Sequence, residues 1–156
     1  MSITEVPRES RKSLLPILDQ SFTGIYRWHA KRTLRSVRWV RAASKDSQQA
    51  GLAMLTMLAG RVGYVYYIAV SPSQRSAGIG RLLLDDSLAT LRAAGAALAL
   101  ACVRADNTPS IKLLQSRHFA RTGFGELVRS RGLARAAVIW IRMFVAPGER
   151  VYVKAI

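Results

Sequence analysis

One segment, residues 64–103, constrains the fold more than any other, because a strand, a loop, a helix and a second strand follow one another within it. Residues 64–70 are aromatic and β-branched, as buried strands are, and Pro72 follows them. Residues 78–95 carry leucines at helical spacing, and residues 96–103 form a continuous apolar run typical of a strand within a parallel sheet. This order predicts two parallel strands joined by a right-handed helical crossover.

Further helices and strands are predicted on both sides of that segment. Three more helices are predicted, at residues 10–22, 26–37 and 107–117, and Pro16 marks either the start of the first helix or a kink in it. Residues 38–43 and 51–58 are predicted to pair as a hairpin, and residues 121–128 and 136–145 are predicted to be the strands that close the sheet. Residues 151–156 are either an edge strand or a loose tail. The whole pattern predicts an α/β fold in one domain, residues 1–156, with a central mixed sheet of about six or seven strands flanked by about four helices.

The composition fits a folded domain with a strongly basic surface. The chain has 156 residues and a formal net charge of +15, which favours anionic partners such as nucleotide phosphates, nucleic acid or acidic protein. A proteome rich in arginine accounts for the same charge without any partner. Cys102 is the single cysteine, so an intramolecular disulfide is excluded. No signal peptide is recognised and no apolar run approaches the roughly 20 residues of a membrane span, so a cytoplasmic protein without membrane attachment is expected.

The loop that opens the helix after Pro72 has the features of an anion site. It reads Arg75-Ser-Ala-Gly78-Ile-Gly80 and connects a strand to a helix. The first turn of a helix has unpaired N–H groups and the positive end of the helix dipole, and glycines let a ligand approach the backbone closely. With the guanidinium of Arg75 as a further donor, the loop is suited to a pyrophosphate. A glycine pair by itself is also compatible with an ordinary tight turn.

The surroundings of this loop resemble the GCN5-related N-acetyltransferases, the GNAT family. Residues 68–83 contain an apolar strand that ends in Val70, a proline two positions later, and then the Arg-x-x-Gly-x-Gly loop. These features are similar to the acetyl-coenzyme A signature of the family. The resemblance implies a GNAT fold and an enzyme of the acyltransferase class.

A second stretch, residues 103–119, is similar to the strand-five and helix-four region of the same family. Asn107 occupies the position at which the family helix begins. A Gly-Phe pair follows that helix in the family, and Phe119 occupies the position of its phenylalanine. The glycine of that pair is replaced here by His118. Together the two stretches cover roughly a third of the chain, and the predicted order of elements extends the resemblance across nearly all of it.

The resemblance implies acetyl-coenzyme A as acyl donor and no metal ion. Main-chain groups near the end of the fourth strand would pair with the pantetheine arm, and the N–H groups of the loop would hold the pyrophosphate. Asn107 would contact the pantetheine side, and its residue type also predicts a helix N-cap. The implied cofactor-binding residues are Ile68, Ala69, Val70, Arg75, Ser76, Ala77, Gly78, Ile79, Gly80, Arg81 and Asn107.

The usual catalytic side chains are missing from the positions where the resemblance would place them. Acetyl transfer to an amine requires a group that removes a proton from the amine, and an acid often protonates the leaving thiolate. In many family members the acid is a tyrosine seven residues after the asparagine, and here that residue is Leu114. Ribosomal-protein N-terminal acetyltransferases, to which the chain has a partial likeness, place a glutamate base five residues before the asparagine. Here that residue is Cys102.

Other side chains are candidates for the missing chemistry, although each also has a structural interpretation. Tyr67 and Tyr66 lie on the fourth strand and face opposite sides of the sheet, so one of them faces the cleft. His118 lies one turn after the position of the usual acid and is otherwise a partly exposed cap residue. His29 and Asp106 are titratable as well, the latter in a turn. The catalytic residues therefore stay unassigned, with Tyr67 and His118 as candidates.

The favoured function is transfer of an acetyl group from acetyl-coenzyme A to a primary amine, directly within a ternary complex. The amine would belong to a small molecule or a protein N-terminus, and residues 26–29 would help to shape its cleft. The alternatives are acetylation of an RNA-linked amine and a non-catalytic module that binds acyl-coenzyme A. A homodimer that pairs through residues 136–145 is a further expectation. The basic residues that favour RNA or acidic protein are Arg27, Lys31, Arg32, Arg35, Arg38 and Arg41.

Overall fold

The computed structural model describes every residue from Met1 to Ile156. The strands are β1 (Ser2–Glu5), β2 (Trp39–Lys45), β3 (Gln48–Met57), β4 (Val62–Val70), β5 (Leu98–Arg104), β6 (Ala120–Thr122) and β7 (Glu149–Ala155). The α-helices are α1 (Leu15–Ser21), α2 (Gly24–Ser36), α3 (Ile79–Ala93), α4 (Thr108–Gln115), α5 (Phe124–Arg131) and α6 (Leu133–Met143), and two 3₁₀ segments span Arg8–Leu14 and Pro72–Gln74. None of these helices has the length and the apolar character that a membrane crossing requires.

The strands form one mixed sheet of seven strands in the order β1-β2-β3-β4-β5-β7-β6. β4 and β5 run parallel, with Val62 paired to Leu98 and Val65 to Ala101, and α3 lies between them in the chain. The predicted parallel pair of strands with a helix between them in the chain and the α/β class are therefore confirmed. The chain has six α-helices where the sequence predicted about four, and the two additional helices both follow β6.

The chain divides into two compact units. The first unit comprises Met1–Thr56 and Tyr67–Thr90, and the second comprises Met57–Tyr66 and Leu91–Ile156. β4 contributes its first five residues to the second unit and its last four to the first.

The first unit contains the predicted first helix and the predicted hairpin. The segment predicted as one helix over residues 10–22 is a 3₁₀ turn followed by α1, and Pro16 lies in the first helical turn, where a proline costs no hydrogen bond. The predicted hairpin is β2 and β3, joined at Asp46 and Ser47, whose φ values of 51° and 63° are those of a two-residue type I′ turn.

Large aliphatic side chains fill the core of the first unit. The fully buried large side chains of this unit are Leu14, Leu18, Leu34, Leu52, Met54, Leu55, Ile79, Leu83 and Leu84.

Arg11 is a buried charged residue in the first unit. Its side chain is only 5% exposed, and its guanidinium donates hydrogen bonds to the backbone oxygens of Leu34 (3.1 Å), Val37 (2.8 Å) and Arg38 (3.3 Å). A fourth bond runs from Nε to Val6 O at 3.4 Å. Burial lowers the pKa of Arg11. These acceptors lie at and after the C-terminal end of α2, where helical carbonyls have no partner in the helix, so Arg11 fixes the passage from α2 to β2.

The second unit corrects two predicted strands. Residues 121–128 were expected to be a strand, but β6 is only three residues long and Glu126 begins a helix by accepting hydrogen bonds from Gly123 N (3.0 Å) and Thr122 Oγ1 (2.8 Å). Residues 136–145 were also expected to be a strand, but they lie mostly in α6. The buried residues of α6 are Ala136, Ile139 and Met143, a spacing of three and four that belongs to a helix face.

The C-terminal segment is neither an edge strand nor a loose tail. β7 lies between β5 and β6 and is antiparallel to both, with Val151 paired to Cys102 on one side and to Thr122 on the other. The expected homodimer rested on residues 136–145 as an exposed closing strand, and this basis is removed because the segment is helical. One core cluster of the unit consists of Leu58, Val62, Tyr64, Leu100, Leu127, Ala136, Ile139, Met143 and Val151.

Candidate functional site

The end of β4, where the sequence places the pantetheine-binding residues, is closely packed in the first unit. Ala69 is buried, and a Cβ atom on Gly51 would lie 2.7 Å from its carbonyl oxygen and 3.1 Å from the side chain of Leu83. Glycine is therefore required at position 51 for β3 to approach β4 and α3 this closely. Ser71 N–H then donates to Ala50 O at 2.9 Å and fixes the start of the loop. Ile68 and Val70 are half-buried.

The loop before α3 presents a series of main-chain donors. Pro72–Gln74 is a 3₁₀ turn, and the first helical hydrogen bonds are donated by Arg81 and Leu82 to Gly78 O at 3.0 and 3.1 Å. The N–H groups of residues 76–80 precede these bonds and donate to no backbone oxygen. Ser76 and Gly78 have φ values of 65° and 76°, so the loop turns twice through the left-handed region before the helix starts.

The loop is accessible and lies on a well-anchored helix. Residues 75–78 are exposed, whereas Ile79 is 1% exposed and ties the first turn to the core. The leucine face predicted for α3 is buried, and its predicted outer face with Arg81 and Asp85 is exposed. A fixed helix N-terminus with unpaired N–H groups and flanking arginines can bind a phosphate without reorganising.

Tyr67 lies in β4 directly before Ile68, and its side chain contacts α2. Its hydroxyl oxygen lies 2.7 Å from Nδ1 of His29, and the two rings are 5.9 Å apart. Phe22 packs edge-on against the tyrosine ring with centroids 5.1 Å apart. Thr33 Oγ1 lies 3.5 Å from the same histidine nitrogen. The sequence identified both residues as titratable but gave no reason to pair them, because 38 positions separate them.

Tyr66 faces a different environment in the second unit. Its ring packs edge-on against Tyr64 with centroids 4.6 Å apart, and burial raises the pKa of Tyr66. The alternation predicted for the two neighbouring tyrosines is therefore observed, and Tyr67 is the one whose hydroxyl lies within hydrogen-bond distance of a histidine.

Asn107 and His118 lie at the two ends of α4 in the second unit. Asn107 Oδ1 accepts a hydrogen bond from Ser110 N at 3.2 Å, which is the predicted N-cap, and its side-chain amide group stays available as a donor. His118 is exposed and has a φ of 60°, so it occupies the left-handed position at the end of α4 that a glycine would fill more easily. This position favours the cap interpretation of His118. Asp106 is exposed and forms an ion pair with Arg104, which lowers the pKa of Asp106.

Cys102 is a half-buried thiol of β5 in the second unit. Burial raises its pKa to about 12, only partly offset by a hydrogen bond with Tyr64. Burial also raises the pKa of Tyr64 well above its usual value, and its hydroxyl donates to Met143 O at 3.5 Å. At neutral pH the thiolate is therefore scarce, and Cys102 is unsuited to act as a nucleophile.

The raised pKa of Cys102 predicts slow alkylation in the folded protein. At pH 8 the thiolate fraction of a thiol with a pKa of about 12 is roughly a thousandth of that of an ordinary thiol, so iodoacetamide should react at least about 100-fold more slowly than in the unfolded chain. Mass spectrometry of timed samples with and without urea measures both rates. Equal rates in the two samples would mean that the folded protein exposes a reactive thiolate.

Ion pairs neutralise part of the basic cluster defined above. Asp19 lies 2.6 Å from Nζ of Lys31 and 4.0 Å from Nε of Arg27. Arg41 donates two hydrogen bonds to Asp86, at 2.6 and 2.9 Å, and these bonds raise the pKa of Arg41. Three of the six cations thus face a carboxylate, and the positive field available to an RNA backbone is weaker than the sequence suggests.

Two more cations of the cluster lie on aromatic rings. The guanidinium of Arg32 is 5.5 Å from the ring centroid of Trp28, and that of Arg38 is 4.2 Å from Trp39. Trp28 is 58% exposed, so it does not pack the helix onto the sheet. The exposed Trp28 is therefore an accessible aromatic surface on α2.

Comparison with known proteins assigns the family. The model of the Acetyltransferase (GNAT) family matches residues 4–119, which is well over half of the chain. The chain therefore belongs to the GNAT family of acetyltransferases. The matched region ends at Phe119, directly before β6 and the two helices that the sequence did not predict.

A curated relative and three solved structures extend this result. Mycothiol acetyltransferase from Saccharopolyspora erythraea is 44% identical over 59 residues, which are 38% of this chain and 20% of that protein, so the match spans about a fifth of the relative's length. IAA acetyltransferase from Bacillus cereus aligns with a TM-score of 0.72 and 17% identity over 99% of both chains. PaiA N-acetyltransferase from Thermoplasma acidophilum, in complex with coenzyme A, aligns with a TM-score of 0.71 and 13% identity over 100% of both.

The third structure bears on the partial likeness noted in the sequence. Ribosomal-protein-S18-alanine N-acetyltransferase from Escherichia coli aligns with a TM-score of 0.66 and 21% identity over 78% of this chain and 79% of that one. At these identities the structures show a shared fold.

No group of three or more His, Cys, Asp or Glu side chains is arranged to hold a metal ion.

Proposed function

We propose that this chain is an N-acetyltransferase that passes the acetyl group of acetyl-coenzyme A to a primary amine, and that residues 1–156 act as one catalytic domain. The observation that carries the proposal is the run of unpaired N–H groups at residues 76–80, placed after β4 and before α3. A run of backbone donors at a helix N-terminus is complementary to a pyrophosphate, which is the most highly charged part of coenzyme A.

The family resemblance supplies the remaining proposed cofactor contacts. The main chain of Ile68, Ala69 and Val70 would pair with the pantetheine amides, the side chains of Arg75 and Arg81 would add charge next to the phosphates, and the free amide group of Asn107 would donate to the pantetheine side. The coenzyme A bound by the Thermoplasma relative supports this donor.

Direct transfer within a ternary complex is favoured over an acyl-enzyme intermediate. A covalent route requires a nucleophile, and Cys102 is held as a neutral thiol with a pKa of about 12. In the direct route the amine nitrogen attacks the thioester carbonyl while both substrates are bound. Initial rates measured against both substrates should therefore give intersecting rather than parallel double-reciprocal lines.

The acceptor is proposed at the level of its chemistry, as a primary amine on a small molecule or a protein N-terminus. The name of the Escherichia coli relative specifies a protein alanine, and this supports a peptide beginning with alanine as a first probe. Acetylation of an RNA-linked amine is less favoured, because the carboxylates of Asp19 and Asp86 pair with three of the six cations of the basic cluster.

Calorimetric titration with acetyl-coenzyme A is the test of the proposal. One-site binding with a Kd in the micromolar range or below is expected, and desulfo-coenzyme A or coenzyme A serves as a competing ligand. Absence of binding would overturn the proposal. Binding without turnover on any amine would support the alternative of a non-catalytic module that binds acyl-coenzyme A.

A further inference from the structure

Tyr67 and His29 form a hydrogen-bonded pair that neither the family resemblance nor the comparisons assign. The hydroxyl of Tyr67 and Nδ1 of His29 are 2.7 Å apart, well within hydrogen-bond distance. Both residues are half-buried in the first unit and so are reachable from solvent. An inference from this pair rests on the acetyl transfer proposed above.

The pair is held in place from several sides. α2 is anchored by the buried residues Ala30, Thr33 and Leu34, which fixes the position of His29 on its inner edge. Phe22 packs against the Tyr67 ring, and Thr33 Oγ1 lies within 3.5 Å of His29 Nδ1. A geometry fixed by packing and by a further hydrogen bond is what a proton-transferring pair requires, because misplaced groups lose most of their effect.

The position of the pair along the chain connects it to the reaction. Tyr67 is the residue directly before Ile68, where the proposed pantetheine contacts begin, and the thioester lies at the end of the pantetheine arm. The positions that carry the acid and the base in relatives hold Leu114, which is 4% exposed, and Cys102, which is a neutral thiol. The proton transfers of the reaction therefore have no other assigned group in this chain.

We propose that Tyr67 and His29 act as a proton relay, with Tyr67 as the catalytic residue that meets the substrates and His29 as the residue that acts through it. When the amine nitrogen bonds to the thioester carbonyl carbon, its proton passes to the Tyr67 oxygen as the phenol proton passes to Nδ1 of neutral His29. When the carbon–sulfur bond breaks, the proton on Tyr67 passes to the leaving sulfur as the proton on Nδ1 of His29 returns to the Tyr67 oxygen, so the leaving group departs as coenzyme A thiol. The products are the amide and the thiol, and the pair returns to its starting state.

The existence of the pair can be measured without any substrate. The chain has two histidines, so ¹⁵N-labelled imidazole spectra contain two sets of signals, which His29→Asn assigns. Tyr67→Phe should shift the Nδ1 signal of His29 and leave that of His118 unchanged. Tyr66→Phe removes the same atom from the neighbouring position of β4 and should shift neither signal. An unaltered His29 signal in Tyr67→Phe would overturn the pair.

The catalytic role is tested by the release of coenzyme A with an alanine-terminated peptide as the acceptor probe. We expect Tyr67→Phe and His29→Asn each to lower kcat about 100-fold, whereas Kd for acetyl-coenzyme A should change less than about twofold. The double variant should lose little more than either single variant, because the two residues act as one unit. Tyr66→Phe should retain full activity.

Chemical rescue separates proton transfer from a structural role. In His29→Gly, added imidazole should raise kcat at least about tenfold, because it can occupy the space left by the side chain and accept a proton. Added pyrrole, which lacks a basic nitrogen, should leave kcat unchanged. Equal kcat in Tyr67→Phe and the unaltered protein, or no effect of imidazole, would overturn the relay. Loss of acetyl-coenzyme A binding by the unaltered protein would instead overturn the proposed function, so the two failures are distinguishable.

Discussion

Replacement of Gly78 by tryptophan is expected to weaken acetyl-coenzyme A binding at least about 100-fold, which corresponds to about 2.7 kcal/mol. Gly78 has a φ of 76°, and no atom lies within 4 Å of the place where its Cβ would be, so the side chain would project from the exposed loop. An indole there would cover the N–H groups of residues 76–80 without entering the core. Isothermal titration measures the loss, and circular dichroism should show that the fold is retained.

The control for this substitution is Gly132→Trp, which introduces the same strain elsewhere. Gly132 has a φ of 81° and equally open surroundings, but it lies between α5 and α6. Both variants should therefore be destabilised by about 1–2 kcal/mol, since a side chain is disfavoured in the left-handed region. Only Gly78→Trp should lose the cofactor. Unchanged affinity in that variant would mean that the loop does not hold the pyrophosphate.

Substitution of Arg11 by methionine is expected to cost about 3 kcal/mol of the free energy of unfolding, the largest effect on stability that we predict. Methionine keeps the apolar stem of the side chain but leaves the carbonyl oxygens of Leu34 and Val37 buried without their donor. A chain of this length should then show a melting temperature about 10 °C lower. The transition can be followed by circular dichroism.

Lys12→Met is the matched control for Arg11→Met. Lys12 is the next residue of the same 3₁₀ segment and is exposed, so the same loss of a charge removes no buried contact. Its melting temperature should change by no more than about 2 °C. A loss below about 1 kcal/mol in Arg11→Met would show that water replaces the guanidinium at little cost.

The sequence predicted the parallel crossover and the loop before α3 because both follow from local patterns. The leucines of α3 repeat at helical spacing, and residues 96–103 have no polar interruption, so each segment indicates its own structure. The cofactor-binding residues and Tyr67 were named from the same stretch. Their roles stay predictions until binding and activity are measured.

The pairing of His29 with Tyr67 and the burial of Arg11 were beyond the reach of the sequence. Each depends on a contact between segments far apart in the chain, and no local pattern specifies which side chain a histidine or a buried arginine meets. The two helices after β6 were missed for another reason. The run at residues 136–141 is apolar at every position, and such a run indicates burial without deciding between a strand and a helix.

The position of β7 determines when the sheet can be completed during synthesis. β5 pairs with β4 on one side, but it takes its partner on the other side from residues 149–155, and β6 takes its partner from the same residues. Neither of the two β7 ladders can therefore form while the ribosome is still adding α5 and α6. At about 5–20 residues per second, the interval between the synthesis of Thr122 and that of Ala155 is several seconds. During that time both strands present unpaired backbone groups, the kind of surface that chaperones bind and that leads to aggregation. Slower synthesis of Glu149–Ala155, or removal of these residues, should therefore lower the yield of folded protein more than the loss of seven residues would suggest.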